Sequence, residues 1–242
     1  MKQTVCFFTV TCVRDYEHLL GGIEHHAEMG LHLVLDTTPV EKAVKFTKLP
    51  DSVIWIHEPV FGEGWANFRL RSAVERAMRK ARALPVDVLV YLDSDEFFTK
   101  DSADLLFQWG VTAMVETLTL HWRKDGNPWA YEESEWHRRV WPRLADVKIA
   151  ENMAWQAHPK YNGNPEHHPV PVPPSGLQVL RVYGNFHHHF HYSVGLKAGD
   201  EESAVATIAG WPDRGVIAPQ VPWPERLALW RDTGVLPSES FR

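Results

Sequence analysis

Between Val86 and Phe98 the chain reads Val-Asp-Val-Leu-Val-Tyr-Leu-Asp-Ser-Asp-Glu-Phe-Phe. Five of the seven residues from Val86 to Leu92 are aliphatic, with Pro85 before them and acids after. A short apolar run of this kind is the signature of a strand buried on both faces, as in a parallel sheet. Asp93 and Asp95 follow at its carboxyl end, then Glu96. On an extended chain, side chains two apart share a face, so Asp93 and Asp95 are expected to reach one point together. Paired carboxylates offer hard oxygen ligands suited to Mg²⁺ or Mn²⁺. The carboxyl edge of a parallel strand is also where open α/β sheets take their ligands. A plainer use of the same residues stays open, with Ser94 or Asp95 capping the next helix.

The stretch resembles the Asp-x-Asp motif of nucleotide-sugar glycosyltransferases of the GT-A fold, and Leu-Asp-Ser-Asp-Glu-Phe is closest to the family 2-type enzymes. That resemblance covers roughly the first hundred residues in order, with weaker echoes near 135–160 and 180–195. It implies an α/β chain with a Rossmann-like, mostly parallel central sheet flanked by helices and a C-terminal acceptor-side region. A single domain over 1–242 is expected, with a nucleotide-sugar-binding half (1–110), an acceptor or catalytic half (111–198) and an extension (199–242).

The rest of the chain agrees with an α/β reading. Thr4 to Thr11, Leu31 to Leu35 and Val53 to Ile56 read as strands. A helical pattern from Asp15 to Met29 stops at Gly30. Trp65 to Leu84 is the longest helical pattern, with Phe68, Ala73, Ala77 and Ala81 near one face. Strand and helix alternating at this spacing argue for a parallel sheet. Beyond the acids, Asp101 to Trp109 reads as a helix capped by Asp101 or Ser102, then Val111 to Trp122 as a strand. Arg123 to Trp136 reads as an acceptor-side loop. Pro159 to Gly176 holds six prolines and reads as loop or polyproline II. Leu177 to Tyr183 resumes as a strand. A short helix is expected near Glu225 to Asp232.

Through the resemblance, donor-binding roles fall on Asp36, Arg71 with Arg69 in reserve, Asp93 and Ser94. Guanidinium forks pair bidentately with phosphate oxygens, which suits Arg71 to a diphosphate. Asp36 serves equally as the opening of a turn closed by Pro39. The expected metal ligands are Asp93 and Asp95 with a C-terminal histidine. In Asn185-Phe186-His187-His188-His189-Phe190-His191, His189 and His191 share a strand face and are favoured, while His187 is expected to matter little. The segment from Trp136 to Arg143 looks like the family's Arg-Leu-Phe-Arg element. Ala157-His158 resembles a Val-His-Glu element, but Pro159 stands where the glutamate is expected, so that residue's role does not transfer. A base for the acceptor proton is sought among Glu135 and Glu151, with Glu132 and Glu133 behind them.

The implied reaction is transfer of a sugar, UDP-linked in expectation, to an acceptor hydroxyl with inversion, using Mn²⁺ or Mg²⁺. Glycan, protein and modified nucleic acid, including hydroxymethylated bases in phage DNA, are open as acceptors. Two other classes compete: a metal-dependent hydrolase, zinc included, built on His187 to His191, and a non-catalytic sugar- or nucleotide-binding module. A net charge of −6 and a pI near 6.1 set up no global field for nucleic acid or anionic membranes. Cys6 and Cys12 lie about 20 Å apart on an extended strand, beyond disulfide reach, which fits a reducing compartment. Val5 to Val13 is too short to span a bilayer and has no small-residue cleavage site after it, so a cytoplasmic location is expected.

Overall fold

A computed structural model describes residues 4–11, 22–23, 25–43, 49–59, 67–94, 96–122, 128–131, 136–151, 169–189 and 216–217. The apolar runs become strands β1 (Val5–Thr11), β2 (Leu31–Asp36), β3 (Val53–His57) and β4 (Val88–Tyr91). They pair in parallel in the order β3-β2-β1-β4. Strands β1 and β4 are buried along their whole length. Their alternate residues go to two separate cores, as a period of two demands. Cys6, Phe8, Leu89 and Tyr91 face one core; Val5, Phe7, Val88 and Val90 face the other.

Helix α1 (Asn67–Arg82) covers the first core with Ala73, Val74, Ala77, Met78 and Ala81. Its spacing is the i, i+3, i+4 stripe of an amphipathic helix. Helix α2 (Lys100–Gly110) covers the second with Ala103, Leu106 and Phe107. The helix begins at Lys100 with Thr99 in the capping position and no side-chain cap bond. Asp101 and Ser102 therefore lie inside the first turn rather than capping it, a place where an acid still favours the helix dipole.

The sheet continues past β4 in a mixed half. It comprises β5 (Glu96–Phe98), β6 (Met114–Trp122), β7 (Pro128–Tyr131), β8 (Trp136–Pro142) and β11 (Val179–His189). Strand β8 pairs antiparallel with both β4 and β6, so β6 runs with the first four strands. Strand β11 joins β6 in parallel, and β5 folds back antiparallel onto the end of β11. The result is a mixed sheet of α/β character. Strand β12 (Val216–Ile217), from the expected extension, pairs with β7.

Two expected loops contain strands. β7 lies within the Arg123 to Trp136 segment. In the proline-rich segment, β10 (Pro169–Val172) pairs antiparallel with β9 (Lys148–Glu151) as a separate ribbon. Prolines two apart fall in the same half of an antiparallel ladder, leaving Val170 and Val172 to carry its hydrogen bonds. The expected helix from 15 to 29 is described at 22–23 and 25–29; it is helical at 22–23 and 25–27, and 28–29 form a turn. The segment near Glu225 to Asp232 lies outside the described residues. Among the described residues no helix is long and apolar enough to cross a membrane.

Candidate active site

Strands β4, β6 and β11 end, and antiparallel β8 begins, at one edge of the sheet. The acids sit there. Asp93 and Glu96 are joined there by a turn. The Glu96 N–H bonds the Asp93 carbonyl at 3.1 Å, and the Asp93 N–H returns a bond to Glu96 Oε2 at 2.9 Å. Asp and Ser readily enter such turns, and the reciprocal bonds lock this one. The partner brought back to Asp93 is therefore Glu96, three residues on. Asp95 lies outside the described residues.

Strand β8 supplies the countercharge through a bulge. Val115 pairs with Val140, but Glu116 pairs with Arg138, so Arg139 is the extra residue. A bulge re-aims a side chain and reverses the alternation beyond it. Arg138 pairs with Glu116 at 2.8 Å and Arg181 reaches the same acid at 3.2 Å. Arg139 instead turns to the acid turn. Its Nη2 donates to Asp93 Oδ2 at 2.9 Å and to Glu96 Oε1, and its guanidinium lies 4.7 Å over the Tyr91 ring. The Tyr91 hydroxyl donates to Asp93 Oδ1 at 2.7 Å.

Two imidazoles complete the cluster. His137, from β8, places Nδ1 3.7 Å from Glu96 Oε1 and 3.3 Å from Arg139 Nη2. His187, from β11, places Nε2 3.3 Å from Glu96 Oε1, while its Nδ1 lies 2.9 Å from the Thr119 hydroxyl. The His187 ring stacks on Phe98, its cross-strand partner on β5. Glu96, Arg139 and His187 are all buried.

Burial alone would raise the Glu96 carboxyl, but Arg139 first, then His187 and His137, hold it well below the usual carboxylate range. Burial lowers the Arg139 guanidinium and the two acids more than restore it. Burial lowers His187 to about 4 despite Glu96 beside it. At neutral pH the cluster holds the Glu96 carboxylate, the Arg139 guanidinium and a neutral His187. Tyr91 is raised well above its ordinary value, by burial first and then by Asp93, so its hydroxyl stays a donor.

The other expected residues are placed as follows. Asp36 is buried at the end of β2, accepting from the Thr38 N–H at 3.0 Å, the Thr38 hydroxyl at 2.6 Å and Trp55 Nε1 at 3.3 Å. It opens the turn before Pro39. Arg71 lies on α1, paired with Glu75 at 3.2 Å with its side chain 43% exposed. Ser94 sits half-buried in the acid turn. His189 is half-buried and opposite Glu96 in the β5–β11 register, two pairs from His187. Glu135 and His191 lie outside the described residues, as do the side chains of Arg69 and Glu151.

The geometry bears on the expected Mn²⁺ or Mg²⁺. Asp93 was to offer it an open carboxylate, yet one oxygen accepts from Tyr91 and the other from a cation. Both Asp93 oxygens are thus held, and its expected partner Asp95 lies outside the described residues. What converges instead is one ligand atom each from Glu96, His137 and His187, all within 4.8 Å of one another. Sequence reasoning gave no site role to Glu96, His137 or Arg139, and took His187 only as part of the alternative zinc cluster. One signal was available: an acid following a buried strand needs a buried cation, and β8 carries two arginines in succession.

Compared with known proteins, the chain matches no family model and no curated sequence.

Proposed function

We propose that this chain is a glycosyltransferase that takes a sugar from a nucleotide-linked donor, UDP-linked in the first instance, and delivers it to an acceptor hydroxyl. One observation carries the reading: an acid turn at the carboxyl end of β4, met there by arginine and imidazole from β8 and β11. The parallel half followed by a mixed half agrees with the GT-A order of a nucleotide-binding half and an acceptor half, which is the finer fold we propose. In the reaction, the acceptor oxygen bonds the anomeric carbon as the bond to the diphosphate breaks. The diphosphate leaves with the electron pair, and the acceptor proton passes to a base.

The acid turn sets the site's shape. Arg139 and Tyr91 fix Asp93 in one orientation, and Arg71, half exposed on α1, has the fork geometry for a diphosphate. The required Mn²⁺ or Mg²⁺ is part of the proposal, with Asp95 and His189 as its residues in addition to the held Asp93. When bound, such an ion neutralises charge on the leaving diphosphate.

A zinc hydrolase is the second reading, favoured by the grouping of Glu96, His137 and His187. Against it, the Arg139 Nη2 nitrogen already lies among these ligand atoms.

A panel of sugar nucleotides, assayed for calorimetric binding and for release of nucleoside diphosphate with Mn²⁺ or with EDTA, separates the readings. We expect one donor to bind and turn over only with Mn²⁺ or Mg²⁺, and Asp95→Ala to abolish turnover in a folded protein. Stoichiometric zinc with no affinity for any nucleotide would refute the transferase reading.

A further inference from the structure

Three acceptors from three places in the chain converge on a single nitrogen. Arg139 Nη2 meets Asp93 Oδ2 at 2.9 Å, Glu96 Oε1 in a close ion pair, and His137 Nδ1 at 3.3 Å. A fourth ligand atom, His187 Nε2, lies 3.3 Å from Glu96 Oε1. It is fully buried and has no hydrogen-bond partner. Ligands around a tetrahedral first-row ion with metal–ligand distances near 2.0–2.2 Å stand roughly 3.3–3.6 Å apart. Glu96 Oε1 stands 3.3 Å from His187 Nε2 and 3.7 Å from His137 Nδ1. The donor set is that of a transition-metal site. Two of its three ligand atoms are already bonded by the guanidinium nitrogen.

We propose that this cluster is a cation site whose resident cation is Arg139, and that it accepts a divalent transition ion only when the guanidinium is removed. The inference stands whether or not the chain transfers sugars, because it concerns the occupancy of the cluster and not turnover. An ion bonded to Glu96 Oε1 and His137 Nδ1 would take the two atoms that the charged Nη2 already bonds, so the two compete for them. The arginine is tethered and cannot be chelated away, so the acid turn keeps its shape without metal. Arg139 is thus a positioning residue. Any metal requirement of the protein must arise outside Glu96, His137 and His187.

Co²⁺ titration followed by visible absorption reads the cluster directly, since cobalt held by imidazole and carboxylate in a tetrahedral site absorbs strongly. Wild type and His187→Ala should give superimposable titrations, whatever cobalt binds elsewhere. Arg139→Met should gain a His187-dependent band at about one equivalent, with affinity at least about tenfold above any such binding in wild type. The band should vanish in Arg139→Met/His187→Ala and should not appear in Arg139→Lys, which restores a cation. A His187-dependent cobalt band in wild type overturns the proposal, as does a folded Arg139→Met protein without one. If Arg139→Met does not fold, the comparison of wild type with His187→Ala decides: equal titrations support the resident guanidinium, and a loss of cobalt in His187→Ala overturns it.

Discussion

At Glu96 two opposing effects can be weighed. Removing a carboxylate from water costs several kcal/mol, and a guanidinium in the same dry place repays it only with good geometry and with the remaining lone pairs satisfied. Both conditions hold here: Oε1 faces Arg139 and Oε2 accepts the Asp93 N–H. The pair adds little net stability, but breaking it strands a charge. Glu96→Gln should therefore cost about 3–5 kcal/mol in urea unfolding. Asp93→Asn should cost less, because its side chain is 35% exposed and water can replace the lost charge. A Glu96→Gln cost no larger than that of Asp93→Asn would mean that Asp93 alone satisfies the guanidinium. None of this was legible residue by residue. Arg139 and Glu96 are 43 positions apart, and which of two neighbouring arginines turns inward depends on a bulge that leaves no mark in composition.

Elements were legible where burial is two-sided. β1, β2, β3 and β4 announced themselves as short apolar runs, and α1 by its alanine stripe. The acid turn was not, because period-two reasoning continued the strand past Tyr91 while the Asp93–Glu96 bonds reversed it. β10 was hidden by prolines, which a strand paired on one side only can tolerate. A test at this scale concerns how α2 meets the sheet. A Cβ on Gly110 would stand 2.5 Å from Val140 Cγ1 and 2.9 Å from Val88 Cγ1. The C-terminal turn of α2 thus lies close enough to the central strands that only a hydrogen fits. Gly110→Ala should destabilise by about 1–3 kcal/mol despite alanine's better helix propensity. Thermal unfolding would measure it; an unchanged or raised midpoint would mean that α2 sits farther from β4 and β8.

Across the whole molecule, buried neutral histidines tie stability to pH. His32 is buried in β2, with Nε2 3.1 Å from the Thr9 hydroxyl and His26 stacked nearby on Phe7. Burial lowers His32 to about 3, and lowers His26 well below 6.5, by burial first and then by the neighbouring imidazoles of His32 and His25. The unfolded chain takes up these protons first as pH falls. Stability is then full above about pH 6.5 and declines as pH drops from there towards 3, by up to about 1.4 kcal/mol per unit for each such imidazole. Urea midpoints at pH 7.5 and 5 should differ accordingly, and His32→Gln should shrink the difference. An undiminished pH dependence in that variant would show that His32 does not carry it.

The place of β4 between β1 and β8 has a consequence for the order of events during synthesis. Val88–Tyr91 can pair with β1 as soon as it emerges, but its other hydrogen-bonding side has no partner until Trp136–Pro142 has been made. In that interval the nascent chain carries an open strand of Val88, Leu89, Val90 and Tyr91, the kind that pairs with whatever strand is nearest. His187 comes later still, so the acid turn closes last and by long-range contacts, which fold slowly. A chaperone bound over residues 88–91 of ribosome-held chains, and released once β8 is out, would be the cell's trace of that delay.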